Sequence, residues 1–314
     1  MEVYDVMIIG GGPAGLSAGL YASRSRLRTL LIEKDRTGGQ VNTTEDLENY
    51  PGIMDGIKAS QLMERMTEQA KNFGTAFIKD KVTDIIPEGN IKVVKGEKGD
   101  YRGKTVIIAT GATPRMLGVK GEKEFTGKGV SYCATCDADF FVDLDVAVVG
   151  GGDSAIEEAL YLTKFAEKVY VIHRRDRLRA TGSLQERAKR NNKIHFILNT
   201  VVSEIKGDGI VEKITIRNKK TGEEKDLKID GVFIFVGTQP ISDFVKDVIK
   251  TDDEGYIITD EFMMTSMEGV FAAGDVRKKF LRQVITAAAE GAIAATAAEK
   301  YINGELKTEK REVS

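Results

Sequence analysis

Short continuous apolar runs punctuate this chain at residues 3–9, 29–32, 105–109, 145–149, 168–172, 232–236 and 269–273. Each has strand length, and none alternates apolar with polar. Such runs mark strands buried on both faces, as in parallel sheets. Helix-length stretches lie between them: an alanine-rich one from about Ala14, then 60–73, 154–165 and 284–302. Strands alternating with helices predict an α/β chain with a parallel sheet.

The junctions carry the chemistry. The first strand runs into Gly10-Gly11-Gly12-Pro13-Ala14-Gly15, and the next ends in Glu33. Strand, G-x-G-x-x-G turn and helix, with an acid about 20 residues on, form a dinucleotide-binding opening. Gly10 permits the tight turn, Gly12 lets a pyrophosphate reach the backbone, and Gly15 lets helix and strand pack closely. The helix N-terminus adds N–H donors and partial positive charge, and Glu33 would accept the ribose hydroxyls. The unit recurs at 145–172, with Gly150, Gly151, Gly152, Asp153, Ser154 and Ala155 as its turn. Registering Gly10 on Gly150 sets Glu33 on His173, followed by Arg174, Arg175, Arg177 and Arg179. A carboxylate there would repel a 2′-phosphate, whereas arginine forks bind one. The alternative for these arginines is a solvated helix start or a nucleic-acid patch. Arg179 reaches back to the phosphate if the segment turns helically. One opening therefore suits a dinucleotide with free ribose hydroxyls, and the other suits NADPH.

Two similar endings organise the rest. The run 105–109 leads into Thr110-Gly111-Ala112-Thr113-Pro114, and 232–236 leads into Gly237-Thr238-Gln239-Pro240. The last apolar run precedes Gly274-Asp275 and the helix 284–302, with no nucleotide fingerprint of its own. The expected domains are thus 1–112 plus 242–314, with 114–240 inserted. Two adjacent links favour a hinge about which the inserted domain rotates.

Composition narrows the classes. At 314 residues with 41% hydrophobic and 30% charged positions, the chain reads as an ordinary globular protein long enough for two domains. With 46 basic and 48 acidic residues, no global field draws it to nucleic acid or an anionic membrane. Residues 1–5 carry no basic n-region, and Glu290, Glu299 and Lys300 interrupt the apolar run 284–302. Neither a signal peptide nor a membrane span is expected, and the location expected is cytoplasmic. The 2 cysteines fall three apart, as Cys133-Ala134-Thr135-Cys136; random placement gives that spacing about 1% of the time. A zinc site lacks ligands, since His173 and His195 are the 2 histidines. A structural disulfide is at odds with a cytoplasmic chain. Inert buried thiols remain an alternative to a redox pair, which the spacing favours. Asp137 follows directly and is placed to move the proton that exchange requires. NADPH delivers a hydride that a disulfide accepts poorly without a flavin mediator, so two nucleotide sites and one Cys-x-x-Cys make a complete set.

In order and spacing, the glycine turn at Gly10, Gly38-Gly39-Gln40, Glu48-Asn49-Tyr50-Pro51-Gly52, Ala109-Thr110-Gly111, Cys133 through Asp137, Gly150 through Ala155, the His173-Arg174-Arg175-x-x-x-Arg179 element, Ala272-Ala273-Gly274-Asp275 and Arg282-Gln283 resemble the bacterial low-molecular-weight thioredoxin reductases. The resemblance implies two Rossmann-like domains of the flavoprotein disulfide reductase type, the second inserted in the first. It implies that FAD is held by Gly10, Gly12, Gly15, Glu33, Gly39, Gln40, Asn49, Gly111, Asp275, Arg282 and Gln283, with Asp275 near its ribityl chain and Arg282 and Gln283 near its ring. Gly150, Gly152, Ser154, Ala155, Arg174, Arg175 and Arg179 would hold NADPH. Cys136 would face the flavin, Cys133 would attack the partner disulfide, and Asp137 would be the acid/base. Thioredoxin as partner and a homodimer are further implications. Asp139 and Lys128 depart from the family pattern near the docking surface expected around Phe140 and Phe141. A ferredoxin-linked reductase or a dithiol oxidase of the same fold is the competing reading, but neither needs the second fingerprint or the arginines.

Overall fold

The computed structural model describes residues 2–43, 47, 50–53 and 57–306, with Thr43, Thr135 and Cys136 described in backbone alone. Along the chain run β1 (Val3–Ile9), α1 (Pro13–Arg24), β2 (Thr29–Glu33), α2 (Ala59–Asn72), β3 (Ala76–Lys79), β4 (Val82–Glu88), β5 (Ile91–Gly96), β6 (Asp100–Ile108) and β7 (Ala112–Pro114). Then come α3 (Glu122–Phe125), β8 (Val130–Ser131), α4 (Ala134–Asp137), β9 (Asp145–Gly150), α5 (Asp153–Leu162), β10 (Lys168–Ile172), α6 (Gly182–Arg190) and β11 (Ile194–Ile197). β12 (Thr200–Asp208), β13 (Ile210–Asn218), β14 (Glu224–Lys228), β15 (Gly231–Phe235), β16 (Thr238–Pro240), β17 (Val270–Ala272) and α7 (Val284–Ile302) complete it. Two compact units result: Met1–Thr113 with Gln239–Ser314, and Pro114–Thr238.

In the first unit the strand order is β3-β2-β1-β6-β5-β4, with β17 also on β6. β1, β2, β3, β6 and β17 are parallel, while β4 and β5 add an antiparallel meander. Val6, Ile8, Leu31, Ile107 and Phe271 face α1 and α7, packing on Leu16, Ala18, Ala294 and Ala298. Met7, Ile9, Leu30, Ile32, Val106 and Ile108 face the other way, onto Val94, Val245 and Ile257. Both faces are therefore covered, which is why these runs contain no polar alternation. Fully burying each such side chain contributes about 1.5–3 kcal/mol. Ile9 pairs in register with both Ile32 and Ile108, and Ala272 with Ile108, so the turns after these strands emerge at one edge.

The contact between α1 and α7 has almost no slack. A Cβ at Gly291 would sit 2.0 Å from the carbonyl oxygen of Ala14. Gly291→Ala is expected to cost about 1–3 kcal/mol by overpacking, read as a lowered denaturation midpoint. Unchanged stability would mean that the two helices separate freely. Among the described residues no helix is long and apolar enough to cross a membrane.

The second unit holds the parallel sheet β11-β10-β9-β15-β8 and the antiparallel sheet β12-β13-β14. Val146, Val148, Val169, Val171 and Phe233 pack on Ala155, Ile156, Ala159 and Leu162 of α5. The opposite residues, Ala147, Val149, Val232 and Ile234, pack on Ile205, Ile214 and Ile216. The small antiparallel sheet thus covers the face opposite α5, the counterpart of the Met7 and Ile9 face in the first unit. α5 ends at Leu162, three residues before the apolar pattern runs out, because the N–H groups of Lys164 and Phe165 turn to the carbonyls of Tyr161 and Leu162.

Candidate functional site

Gly10 closes β1 with φ +106°, and an added Cβ would lie 2.4 Å from the Ala109 carbonyl oxygen. At Gly15 a Cβ would meet the Gly10 oxygen at 1.9 Å. Packing within the protein therefore accounts for both glycines. Gly12 is different: a Cβ there would touch nothing within 4 Å. It caps α1, whose first turn has no side-chain cap, so its N–H donors face open space. An approach this open fits a pyrophosphate. Glu33 ends β2, and its Oε2 accepts the Gly11 N–H at 2.6 Å while Oε1 accepts that of Asp35 at 2.9 Å. Each oxygen keeps a lone pair for a ribose hydroxyl. Gly38 donates to the Gly11 carbonyl at 2.7 Å, which brings the Gly39–Thr43 turn, with Gln40, beside Gly12. Gly111 follows β6 with φ +73° and open space over its Cα. Asn49 lies outside the described residues.

Asp275 follows β17 at the same edge. Its Oδ1 pairs at 3.1 Å with Lys279 Nζ, which is buried and also meets Glu290 Oε2 at 3.3 Å. Glu290 accepts the Gly274 N–H at 2.8 Å and an Arg277 N–H at 2.8 Å. The charge that interrupts the apolar run of α7 therefore ties down the turn carrying Asp275. Sequence reasoning missed this quartet; Glu290, an acid in the middle of an alanine-rich helix, was its one signal. Arg282 stacks 4.1 Å from the Tyr256 ring centroid, and Gln283 caps α7. Arg282 Nε and Asn42 Oδ1 are buried without hydrogen-bond partners among the described residues. The orphaned Asn42 oxygen, on the turn that Gly38 ties to Gly11, fits a polar cofactor such as FAD.

The second turn repeats the pattern. Gly150 ends β9, where a Cβ would collide with Phe235 O at 2.4 Å and Ala155 Cβ at 2.6 Å. Gly152 has nothing within 4 Å and caps α5 without a side-chain bond. Ser154 and Ala155 form the helix's first turn, Ser154 exposed and Ala155 buried. The segment after β10 is not helical, which corrects the route expected for Arg179. The Arg179 N–H instead donates to the Gly151 carbonyl at 2.6 Å, drawing it onto the turn through backbone. Arg174, Arg175, Arg177 and Arg179 are all exposed, and among the described residues none pairs with a carboxylate. Unneutralised guanidinium groups beside a glycine turn fit a phosphate. His173 is buried, its ring 2.3 Å from where a Gly151 Cβ would sit. Burial, with the nearby charges of Arg179 and Arg175, holds its imidazole below the ordinary value.

On α5, Glu158 is pushed up to about 7 by burial, with the Glu157 charge adding. Its folded form therefore holds a proton that the unfolded chain has released by that pH, so stability falls as pH rises from about 4.5 through about 7. At about 1.4 kcal/mol per unit, Glu158→Gln is expected to gain about 2 kcal/mol on the wild type between pH 5 and pH 8. Parallel stability curves for the two proteins would sink this assignment.

Cys133 caps the single turn α4 and is disulfide-bonded; Cys136 is the other cysteine of the chain, and its side chain lies outside those described. Asp137 ends α4 and is half-buried. Ala134 and Ala138 join the core cluster of Ala155 and Ile156, so the dithiol turn packs in the layer that holds α5. Phe140 is 76% exposed, but Phe141 is core, edge-on to Phe233 at 5.2 Å. The surface expected from both rings thus keeps only the first, together with exposed Asp139 and Lys128.

Comparison with known proteins matches residues 4–291 to the pyridine nucleotide-disulphide oxidoreductase family model. A thioredoxin reductase of Peptoclostridium acidaminophilum is 54% identical over 98% of this chain and 99% of its own length. Among solved structures, the Lactococcus lactis thioredoxin reductase in its FR conformation is 46% identical, covering 96% of this chain and 99% of that one at a TM-score of 0.83. The Streptococcus pyogenes enzyme is 52% identical with the same coverage and a TM-score of 0.75.

Proposed function

The chain belongs to the pyridine nucleotide-disulphide oxidoreductase family, and from that premise we propose that it reduces the disulfide of thioredoxin with electrons from NADPH, by way of FAD and the Cys133/Cys136 pair. FAD, when bound, carries two electrons between a nicotinamide hydride and a disulfide. Gly12 and the open end of α1, on the turn that Gly10 and Gly15 shape, would receive its pyrophosphate, and Glu33 would receive its ribose. Gly39, Gln40, Asn49, Gly111, Asp275, Arg282 and Gln283 would hold the remainder. Gly150, Gly152, Ser154 and Ala155 hold the NADPH pyrophosphate, and Arg174, Arg175 and Arg179 hold its 2′-phosphate.

The Cys133 thiolate attacks one sulfur of the partner disulfide and expels the other as a thiolate. Cys136 then attacks Cys133, so the partner leaves with two thiols and the intramolecular disulfide is restored. Asp137 moves the proton between thiol and leaving sulfur. A homodimer and a cytoplasmic setting complete the reading.

The second turn carries this reading: a glycine-lined helix start, bordered by arginines without carboxylate partners, in the same compact unit as disulfide-bonded Cys133. A ferredoxin-linked reductase or a dithiol oxidase has no use for it. The purified protein is expected to release FAD, identified by mass, and to oxidise NADPH rapidly only when thioredoxin is present. Release of FMN, or NADPH oxidation indifferent to thioredoxin, would contradict the proposal.

A further inference from the structure

The chain enters the dithiol turn through β8, which pairs with core strand β15 at Val130↔Val232 and Ser131↔Phe233. Ser131 is 5% exposed. Its Oγ accepts the Cys133 N–H at 3.1 Å and donates to the Cys133 carbonyl at 3.1 Å. One hydroxyl thus satisfies both backbone polar groups of the cysteine. Tyr132 is pinned as well: its hydroxyl donates to Glu122 Oε1 at 2.8 Å. Glu122, itself 1% exposed, is fixed by the N–H groups of Leu117 at 2.8 Å and Gly118 at 2.6 Å. Burial and the Glu122 carboxylate push the Tyr132 phenol well above its ordinary value, so it remains a donor.

We propose that Ser131 and the Tyr132–Glu122 pair are positioning residues that hold the Cys133 backbone in one place whether the dithiol is oxidised or reduced, and thereby set the potential of the couple. The inference rests on the redox role proposed for Cys133 and Cys136. In the oxidised protein the disulfide restrains the turn by itself. In the reduced protein that covalent restraint is gone, and these hydrogen bonds are what fixes the Cys133 backbone groups beside the core packing of Ala134 and Ala138. Removing them therefore frees the chain chiefly in the reduced state, and the added conformational entropy favours the dithiol. The couple becomes easier to reduce.

The test equilibrates holoenzyme with dithiothreitol, which gives two electrons and two protons to the disulfide and closes to its own cyclic disulfide. Alkylation and mass then count reduced Cys133 and Cys136. Ser131→Ala is expected to shift the equilibrium about tenfold toward the dithiol, equivalent to ~30 mV. Ser131→Thr, which keeps the hydroxyl, is expected to restore it to within about twofold. Tyr132→Phe releases the second anchor and is expected to shift it about threefold the same way; it decides the matter should Ser131→Ala fail to fold. An unchanged equilibrium in the folded alanine and phenylalanine variants, or no recovery with threonine, overturns the inference alone. Absence of any exchange in the wild type overturns the redox reading and this inference with it.

Discussion

With Cys133 replaced by serine, thioredoxin reduction is expected to fall by roughly a thousandfold or more, since no general base or binding contact substitutes for a missing nucleophile. Reduction of the flavin by NADPH is expected to persist, because the glycine turns and arginines proposed to bind the two nucleotides are untouched. Cys136→Ser is expected to abolish turnover equally but to leave different traces. A lone Cys136 thiolate beside oxidised flavin should give a long-wavelength charge-transfer band, whereas a lone Cys133 should accumulate a mixed disulfide with thioredoxin. Stopped-flow absorbance and a non-reducing gel read these two signatures. If the serine variants exchange their signatures, the roles of the cysteines are inverted. If either variant retains full turnover, the dithiol is not in the electron path.

Loss of Arg174 and Arg175 together is expected to lower kcat/KM for NADPH by about a hundredfold while leaving that for NADH within about threefold. A hydrogen bond to a charged group contributes about 1.5–3 kcal/mol, or roughly tenfold to a hundredfold in affinity. Both side chains are exposed, so the low end applies to each. The positive cluster follows β10 at the position where β2 presents Glu33, so the same architecture carries an acceptor in one turn and donors in the other. Arg177→Ala, which removes a fourth exposed charge from the same segment, separates local contact from general attraction. An equal loss with NADPH and NADH would mean that Arg174 and Arg175 support the fold and do not read the phosphate.

The sequence alone determined the parts whose causes are local. A continuous apolar run buried on two faces, a glycine turn and a helix follow one another within about 25 residues at 3–24 and again at 145–162. Each step is dictated by sterics or by burial of the run itself, so the α/β class and both strand, glycine turn and helix openings were legible from pattern and spacing. The exchange of Glu33 for His173 and the arginines was legible for the same reason, because it is a matter of register. Partners distant in sequence were not. Phe141 looks like a surface ring beside Phe140 until Gly231 leaves it room against Phe233. Glu290 reads as an interruption of α7 until Arg277, Lys279 and the Gly274 N–H converge on it. Glu122 carries no motif, and it meets Tyr132 because α3 folds against the preceding loop, where the Leu117 and Gly118 N–H groups fix its carboxylate. A hydrogen bond needs its donor and acceptor about 3 Å apart at a favourable angle; only the packing of elements supplies that proximity, whereas periodicity along the chain specifies which face of an element is buried and not what waits there.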